Sequence, residues 1–516
     1  MPVRTEEKRQ TIKNSVSRGV LVAVSVLLQV GWIVWLVLRL NRYYAFISLF
    51  TGLLSLLVVL HICSERMNAA YKISWIVLIL LFPVLGLCLF LMFGQESANL
   101  LMRRKFGQID QHIVEFLPQD PDAARAMEQQ DPLLANQARY LRQSAGFPVY
   151  ADTRVTYYGD TCEALEAQKE ALRSARRFIF MEYHAIEDST AWRGLEEILA
   201  AKAAAGVDVR VFYDDMGSLG FLRKPFVRRL ESEGIRCRVF NPLVPVLNVF
   251  MNNRDHRKIT VVDGQVGFTG GYNLADEYFN LTSPYGRWKD SGVRLEGGAV
   301  RSLTVIFLEM WTATQKTPED PRPFLVPAAV PQEAAGFVIP YADSPLDGLP
   351  TGEDVYLNMI GAARKRLYLT TPYLIIDDEM QRALVLAARR GVDVRIVTPG
   401  IPDKKVVYRV TRSFYADLAT AGVRVFEYTP GFVHAKQMLM DDEAAACGTI
   451  NLDYRSLYLH FENGCWFCRC PAVAAVRRDF EELFAQCTEV TDQYAGRRDR
   501  FVHGINGVLR LFGPLM

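Results

Sequence analysis

The sequence contains the same short frame twice, and this duplication limits the possible folds more than any other feature. The frame His-x-Lys-x4-Asp occupies residues 256–263 and again residues 434–441. In each copy an asparagine follows 17 residues after the histidine, Asn273 in the first and Asn451 in the second. Since the chain has only seven histidines, duplication explains two identical frames better than chance does.

The segments before the two frames repeat one order of elements. In the first half, predicted strands at 177–183, 207–213 and 236–240 alternate with predicted helices at 192–205 and 223–233. In the second half, strands at 366–371, 392–397 and 423–428 alternate with helices at 378–390 and 406–421. Strands separated by helices of this length indicate βαβ units. We therefore predict an α/β fold with a mostly parallel sheet in each half.

Hydropathy divides the chain further. Three apolar stretches without a charged residue lie at 19–38, 44–60 and 73–94, and each approaches the roughly 20 residues that cross a bilayer. The sequence predicts a membrane anchor of two or three transmembrane helices over 1–100, a helical linker over 101–148, two halves over 149–325 and 337–495, and a C-terminal tail over 496–516. The Pro- and Ala-containing stretch 318–336 marks the boundary between the halves.

The sequence allows more than one interpretation of how the predicted membrane anchor is arranged. A cleaved signal peptide is the alternative for the first stretch, but that stretch is long, lacks a clear cleavage site and precedes two more. Basic residues lie both before the first stretch, between positions 4 and 18, and after the third, at 103–105. Three full crossings cannot place both basic flanks on the cytoplasmic side. Either the first segment does not span, or one flank lies outside.

Charge and cysteine content argue against several classes of protein. The formal net charge is +2 with 22% charged residues, so no strong overall field favours a nucleic acid partner. Nine scattered cysteines do not form a disulfide framework. The cluster Cys465, Cys468 and Cys470 could suggest zinc, but a closed zinc site needs four ligands. We interpret it as a buried strand, and we expect no metal and no cofactor.

Each repeated frame places an imidazole beside a cation. Residues i and i+2 of a strand project from the same face, so we expect His256 beside Lys258, and His434 beside Lys436. The mostly apolar residues that follow suit a strand entering the core. A single His-x-Lys would more often be a strand with one solvated face, and the duplication makes that interpretation much less favourable.

Two acidic residues extend the repeat. Asp290-Ser-Gly and Glu462-Asn-Gly each precede a predicted strand, at 293–295 and 465–470. We interpret Asp290 and Glu462 as the acids that hold the histidine tautomers, because a carboxylate on one ring nitrogen fixes the role of the other. The alternative is that both lie in surface turns.

These motifs resemble those of the phospholipase D superfamily, and more narrowly those of the bacterial cardiolipin synthases. The resemblance covers nearly the whole chain, through residues 256–263, 267–273, 276–278, 371–373, 431–436, 455–456, the membrane segment with Trp75, Pro83 and Gly86, and the tail 510–516. The sequence departs from the family pattern at Thr449, where serine is usual, and at His460, where asparagine is usual. The first apolar segment is additional.

The resemblance implies two pseudo-symmetric phospholipase D-like α/β/α halves that form one catalytic unit. It implies that six residues of the two frames form the catalytic motif: His256, Lys258, Asp263, His434, Lys436 and Asp441. His256 is expected to be the nucleophile and His434 the acid, with the reverse almost as good. Both lysines, together with Asn273, Asn451 and Thr449, are expected to surround the phosphoryl oxygens, whereas the two aspartates support the fold.

The implied reaction joins two phosphatidylglycerol molecules into cardiolipin and releases glycerol. The implied location is the cell membrane, with several crossings and the catalytic domain on the cytoplasmic face. The runner-up is a membrane phospholipase D that hydrolyses lipid or exchanges another head-group alcohol. A catalytically dead lipid-binding scaffold is a third reading, which two intact motifs disfavour. The local charge is mixed, so we expect no nucleic acid partner, and the sequence predicts no oligomeric state.

Overall fold

The repeat seen in the sequence becomes two sheets of the same strand order. The computed structural model describes residues 24–25, 27–32, 34–35, 44–65, 67–94, 103–109, 115–219, 224–242, 252–315, 319–496 and 500–515. Half of the apolar stretch 19–38 lies outside these ranges, and the basic residues before it lie outside them entirely.

Seven strands build the sheet of the first half. They are β1 (Thr153–Tyr158), β2 (Phe178–Tyr183), β3 (Asp208–Asp214), β4 (Arg236–Phe240), β6 (Lys258–Val262), β7 (Val266–Gly270) and β9 (Gly292–Gly297). Their spatial order is β1-β9-β7-β6-β2-β3-β4. The short strands β5 (Arg254–Asp255) and β8 (Arg287–Lys289) lie outside this order and pair with the other half.

The second sheet repeats the arrangement. Its strands are β10 (Phe337–Asp343), β11 (Arg366–Thr370), β12 (Asp393–Pro399), β13 (Arg424–Tyr428), β15 (Gln437–Met440), β16 (Ala444–Gly448), β17 (His460–Cys468) and β18 (Cys487–Glu489). Their order is β10-β17-β16-β15-β11-β12-β13-β18, and β14 (Gly431–Val433) lies outside it. The first seven positions match those of the first sheet, so the predicted pseudo-symmetry of the halves is confirmed. The cysteine cluster lies at the end of β17, and its three side chains are buried and free.

The prediction of mostly parallel sheets was wrong. Only β2, β3 and β4, and their counterparts β11, β12 and β13, pair in parallel, while the other neighbours in each sheet are antiparallel. The reason is that each frame folds as a hairpin. Asp263 and Gly264 adopt φ values of +54° and +68°, which turn β6 back into β7, and Asp441 and Asp442 do the same for the second frame.

Helices cover the outer face of each sheet. In the first half they are Thr161–Ser174, Thr190–Ala204 and Lys224–Ser232, and in the second Thr351–Ala362, Asp378–Arg389, Lys405–Ser413, Tyr415–Thr420, Tyr454–Tyr458 and Thr491–Tyr494. Two further helices, Val300–Ala313 and Pro471–Ala485, pack against the inner faces, between the halves. Strand residues alternate between faces. Ile179 packs under the outer helices, whereas Phe178 and Phe180 face the second half.

One hydrophobic core joins the two halves. It contains Phe180 of β2, Phe307 of the helix Val300–Ala313, and Leu439 and Phe467 of the second sheet. Residues of both halves must therefore be present for either inner face to be buried, and the halves form a single folded body.

The segment predicted as a linker is part of that body. Its helices Pro121–Gln130 and Pro132–Gln143 begin where Asp120 and Asp131 cap them and proline occupies the first turn. Leu134 and Met127 are buried against the core of the second half. The stretch 101–148 was predicted as a helical linker; it is helical over 121–143, and these helices also pack against the second half through an apolar stripe.

The helices before residue 95 form their own cluster. Helices Tyr44–Ser64, Ala69–Leu81 and Pro83–Leu89 and the π-helix Phe90–Gly94 pack around Trp75. A Cβ atom at Gly86 would lie 2.6 Å from Cα of Ile79, so only glycine permits this approach. Within the described ranges, no helix has both the length and the apolar character that crossing a membrane requires.

This N-terminal cluster docks on the second half. The side-chain amide of Asn68 donates to Asp377 at 2.7 Å and to the hydroxyl of Tyr458 at 2.9 Å. The Ser74 hydroxyl donates to the carbonyl of Leu511 at 2.6 Å, in the C-terminal helix Arg500–Phe512. The helix Ala69–Leu81 and the C-terminal helix therefore meet beside the second half.

The aspartates of the frames hold the backbone. The carboxylate of Asp263 accepts hydrogen bonds from the amides of residues 176–178 at 2.8–2.9 Å. The carboxylate of Asp441 accepts from the amides of residues 364–366 at 2.7–2.9 Å. Each aspartate thereby fastens its hairpin to the start of the neighbouring strand, β2 or β11.

We expect Asp441→Ala to lower the free energy of unfolding by about 2 kcal/mol or more, because three amides lose a charged acceptor. Denaturant unfolding of detergent-solubilised protein measures this change. Asp442→Ala is the matched control, since its partners Arg366 and Arg477 lie at the surface and such pairs contribute about 0–1 kcal/mol. Equal losses in the two variants would contradict the prediction.

Candidate active site

Each frame histidine is fixed by the opposite half of the molecule. The backbone amide of His256 donates to the carbonyl of Phe461 at 2.8 Å, and that of His434 donates to the carbonyl of Lys289 at 2.7 Å. The strands β6 and β15 begin after these histidines, so the rings lie at the strand entrances rather than within the strands as predicted.

The same backbone contacts place the acid of each half beside the histidine ring of the other half. Nδ1 of His256 lies 2.9 Å from both carboxylate oxygens of Glu462. Nδ1 of His434 lies 2.7 Å from Oδ2 of Asp290. Glu462 lies inside β17, not before a strand as predicted. With Nδ1 engaged by a carboxylate, Nε2 is the ring nitrogen left for chemistry.

Two hydroxyl groups complete the surroundings of Glu462. Both Thr449 and Ser456 donate a hydrogen bond to its carboxylate, and Thr449 also donates to the carbonyl of Asn463 at 3.0 Å. The expectation that Thr449 faces the phosphoryl group does not agree with this geometry, because its hydroxyl is committed to Glu462.

Both lysines contact their own histidine. Nζ of Lys258 donates to the carbonyl of His256 at 2.6 Å. Nζ of Lys436 lies 3.0 Å from Nε2 of His434 and also donates to the His434 carbonyl. Both side chains are buried, and burial lowers the pKa of Lys258 to about 7 and of Lys436 to about 8.

The two frames act on each other electrostatically. Burial, followed by the charges of Lys258 and Lys436, lowers the pKa of His256 well below its ordinary value. Burial and Lys436 lower the pKa of His434 to about 3. Because His256 is paired with Glu462 and His434 with Asp290 across the two halves, both imidazoles belong to one site, and their lowered pKa values keep both neutral near pH 7.

Asp290 keeps its charge in this buried position. Burial raises its pKa, but Lys436 and His434 outweigh burial and hold the pKa below the ordinary value. Asp290 is thus an anion that offsets one buried lysine and orients one ring.

The two histidines have different neighbours. Tyr278 and Trp288 each lie 5.3 Å from His434 between ring centroids, and Phe432 lies 5.9 Å away. His256 is instead flanked by His184 at 4.8 Å and His460 at 5.6 Å. Aromatic rings therefore enclose one catalytic candidate and imidazoles the other.

The two repeated asparagines also differ in the hydrogen bonds of their side chains. Asn273 accepts from the amide of Ala185 at 3.1 Å and donates to the Tyr278 hydroxyl at 2.8 Å, so it positions an aromatic neighbour of His434. The side-chain oxygen of Asn451 is buried and has no hydrogen-bond partner among the described residues. Of the two repeated asparagines, Asn451 is thus the one whose side-chain oxygen is left without a partner among the described residues.

Sequence reasoning missed His184, Tyr278 and Ser456 as site residues. One signal existed for His184, because it follows directly after β2, and ligands of α/β sheets bind beyond the carboxyl ends of parallel strands. Tyr278 and Ser456 reach the site from a 3-10 turn and a five-residue helix, Tyr454–Tyr458. Both lie in segments that carry the family resemblance, 276–278 and 455–456, but the sequence assigned neither residue a role.

Comparison with known families agrees with this geometry. A family model described as "Cardiolipin synthase, PLD-like domain" matches residues 169–311 and 356–484. A second model, described as a phospholipase D-nuclease N-terminal segment, matches residues 53–95.

Known proteins resemble the chain over most of its length. An uncharacterised protein of Streptococcus mutans is 41% identical over 89% of this chain and 99% of its own length. Cardiolipin synthases of Halalkalibacterium halodurans and of a Geobacillus species are each 33% identical over 88% of this chain and 90% of their own length. The solved phosphatidylserine synthase of Haemophilus influenzae shares the fold, with a TM-score of 0.55, 13% identity and coverage of 74% of this chain and 98% of that one.

The buried lysines predict a pH-dependent anion site. Because protonated lysine binds anions and the pKa values are about 7 and 8, we expect sulfate affinity to fall about tenfold or more between pH 6 and pH 9. Calorimetric titration measures this, and sulfate keeps its charge over that range. Lys365→Met, on an exposed turn, is the matched control and should reproduce the wild-type profile. Sulfate binding that does not change with pH would contradict the prediction.

Proposed function

The chain belongs to the cardiolipin synthase family of the phospholipase D superfamily, and from this we propose that it transfers a phosphatidyl group between two phosphatidylglycerol molecules. The chain is a phosphatidyltransferase, and the products are cardiolipin and glycerol. The observation that supports this most directly is the crossed pairing of two buried imidazoles, each held at Nδ1 by the acid of the other half.

In the first step, Nε2 of His256 attacks the phosphorus of a phosphatidylglycerol. The bond between phosphorus and the glycerol oxygen breaks, and His434 gives that oxygen a proton, so that glycerol leaves. The product is a phosphatidyl-histidine. Burial and Lys436 lower the pKa of His434 and keep its ring neutral in the free protein. The anionic phosphodiester raises that pKa when it enters, so the ring takes up the proton that it then gives to glycerol.

In the second step, the roles of the histidines reverse. His434 takes the proton from a free hydroxyl of the second phosphatidylglycerol, and that oxygen attacks phosphorus. The bond between phosphorus and His256 breaks, cardiolipin leaves, and both imidazoles return to their starting state. The number of phosphodiester bonds stays constant, so the exchange needs no activated donor.

The remaining residues stabilise charge and position. Lys258, Lys436 and the amide of Asn451 surround the phosphoryl oxygens, where negative charge increases in the transition state. Glu462 and Asp290 stabilise the imidazolium that each histidine forms in turn. Thr449 acts on Glu462 rather than on phosphate, and Asn273 acts through Tyr278.

An exposed apolar surface supports attachment to the bilayer. Along the helix Tyr44–Ser64, the exposed fractions are 73% for Phe46, 64% for Leu49 and 63% for Leu57. Contiguous apolar surface of this kind indicates a membrane or protein interface. We place the N-terminal segments, including the stretch 19–38, in the cell membrane as a multi-pass anchor, with the catalytic body on the cytoplasmic face.

Incubation with phosphatidylglycerol alone tests the reaction. We expect cardiolipin and glycerol in equal amounts from wild type, and a loss of at least about 10³-fold in His256→Ala and His434→Ala, since each histidine is needed in both steps. Lipid chromatography and a glycerol assay measure the products. His61→Ala, remote from the site, is the control. Phosphatidic acid as the main product would indicate a hydrolase, and activity in either catalytic variant would exclude the paired mechanism.

Covalent trapping tests the assignment of the nucleophile. Rapid quenching with labelled phosphatidylglycerol at alkaline pH should leave the label on the peptide that contains His256. A label on the peptide with His434 would reverse the two roles while leaving the reaction unchanged.

Membrane attachment has its own test. We expect the full chain to sediment with membranes and to resist extraction by carbonate, and reporter fusions after residues 42, 66 and 516 to give the orientation. A chain released by high salt or carbonate would contradict the anchor.

A further inference from the structure

Two further histidines, His184 and His460, lie around the imidazole of His256, and the proposed reaction uses neither of them. The ring centroids of His184 and His460 lie 4.8 Å and 5.6 Å from that of His256, and 6.4 Å from each other. Four of the seven histidines of the chain are therefore found in this site when His434 is counted. Acid–base chemistry on one phosphorus atom does not require the additional two.

His460 stands out because it lacks a partner. Both of its ring nitrogens are buried without a hydrogen bond among the described residues. Its Nδ1 lies 3.8 Å from Oε1 of Glu462, which is too long for a hydrogen bond. A buried polar group without a partner costs free energy, so a ring in this position indicates a ligand that supplies the missing contact.

The donor atoms around His460 match a metal site. One donor atom each of His256, His460 and Glu462 lies within 4.8 Å of the others. Two imidazoles and one carboxylate are a ligand set used by Zn²⁺, with bonds of about 2.0–2.2 Å. Ring rotation that draws the donors together by about an ångström would satisfy a tetrahedral ion at those bond lengths.

His184 is placed to support such an ion. Its Nδ1 lies 2.7 Å from the carbonyl of Asp255, so Nδ1 carries the proton and Nε2 is the free acceptor. A histidine held in this way by a backbone carbonyl is the usual arrangement of a metal-binding ring. The fourth ligand is then Nε2 of His184 or a water molecule.

We propose that His256, His460 and Glu462 bind Zn²⁺ or a similar divalent transition metal ion, and that the bound ion inhibits the enzyme. The ion takes the place of the Nδ1 proton between His256 and Glu462, and the ring stays neutral by carrying that proton on Nε2 instead. Inhibition follows because Nε2, once protonated, has no lone pair with which to attack phosphorus. This second part rests on the proposed function, whereas metal binding does not.

The charge of the site selects the kind of ion. Lys258 and Lys436 lie in the same buried site, and they oppose a cation that is held by charge alone. Mg²⁺ and Ca²⁺ prefer oxygen ligands and bind mainly through charge. Imidazole nitrogen suits Zn²⁺, Cu²⁺ and Ni²⁺. The site should therefore discriminate against Mg²⁺ even at millimolar concentration.

Binding of Zn²⁺ to the full chain, without lipid, is the primary test. The protein is purified in detergent, stripped with a chelator and titrated against a chromophoric zinc indicator. We expect one tight site in wild type, a 10- to 100-fold weaker affinity in His460→Asn, and no effect of excess Mg²⁺. His61→Asn is the matched control, since it removes an exposed histidine that also faces a carboxylate, Glu65, at 3.6 Å.

The second test measures the rate of cardiolipin formation against free Zn²⁺, with each variant compared with its own metal-free rate. We expect inhibition of wild type to follow the binding curve and to be reversed by chelation, and the half-inhibitory concentration to rise at least tenfold in His460→Asn. Equal Zn²⁺ affinity in wild type and His460→Asn, or loss of the tight site in His61→Asn, would overturn the proposal. A chain that binds Zn²⁺ through His460 but makes no cardiolipin would overturn only the proposed function.

Discussion

The crossed contact between the halves is the interaction on which the rest of the site depends. Each half supplies the imidazole of one catalytic pair and the carboxylate of the other, because β17 and the segment after β8 pass beside the opposite frame. The backbone bonds of His256 to Phe461 and of His434 to Lys289 set this register. Neither half alone could hold a histidine in a defined tautomer, so the duplication in the sequence becomes one site only when both halves share a core.

Burial shifts the pKa values of the side chains in this site, and it also costs folding free energy. Two lysines and two histidines are removed from water, and their pKa values fall as a result. Asp290 and Glu462 oppose the two lysines, but each of these carboxylates already contacts an imidazole. A bound phosphodiester adds a negative charge that the lysines can contact directly. The free protein thus holds a site whose electrostatics are complementary to the substrate and its transition state.

The short helix Tyr454–Tyr458 links the active site to the N-terminal helices. Ser456 donates to Glu462, the acid partner of His256, while Tyr458 accepts from Asn68 at the start of the helix Ala69–Leu81. The Tyr458 hydroxyl also donates to Glu353 at 2.8 Å. The element that orients the catalytic acid is therefore in contact with the segment that carries the exposed apolar surface. This contact breaks the pseudo-symmetry of the halves, because no described residue of the first half makes an equivalent contact with the N-terminal helices.

The sequence by itself determined the duplication, the strand order within each βαβ unit, and the residues that belong to the two frames. These follow from local periodicity and from spacing, both of which can be read from the sequence alone. It could not determine that the frame strands fold back as antiparallel hairpins, or that the polar stretch before residue 144 packs into the core. It also could not show that Glu462 serves His256 and Asp290 serves His434, that Thr449 faces Glu462, or that His184 and His460 adjoin the same ring. Those facts depend on contacts between residues far apart in the chain, and only the packing of one half against the other decides them.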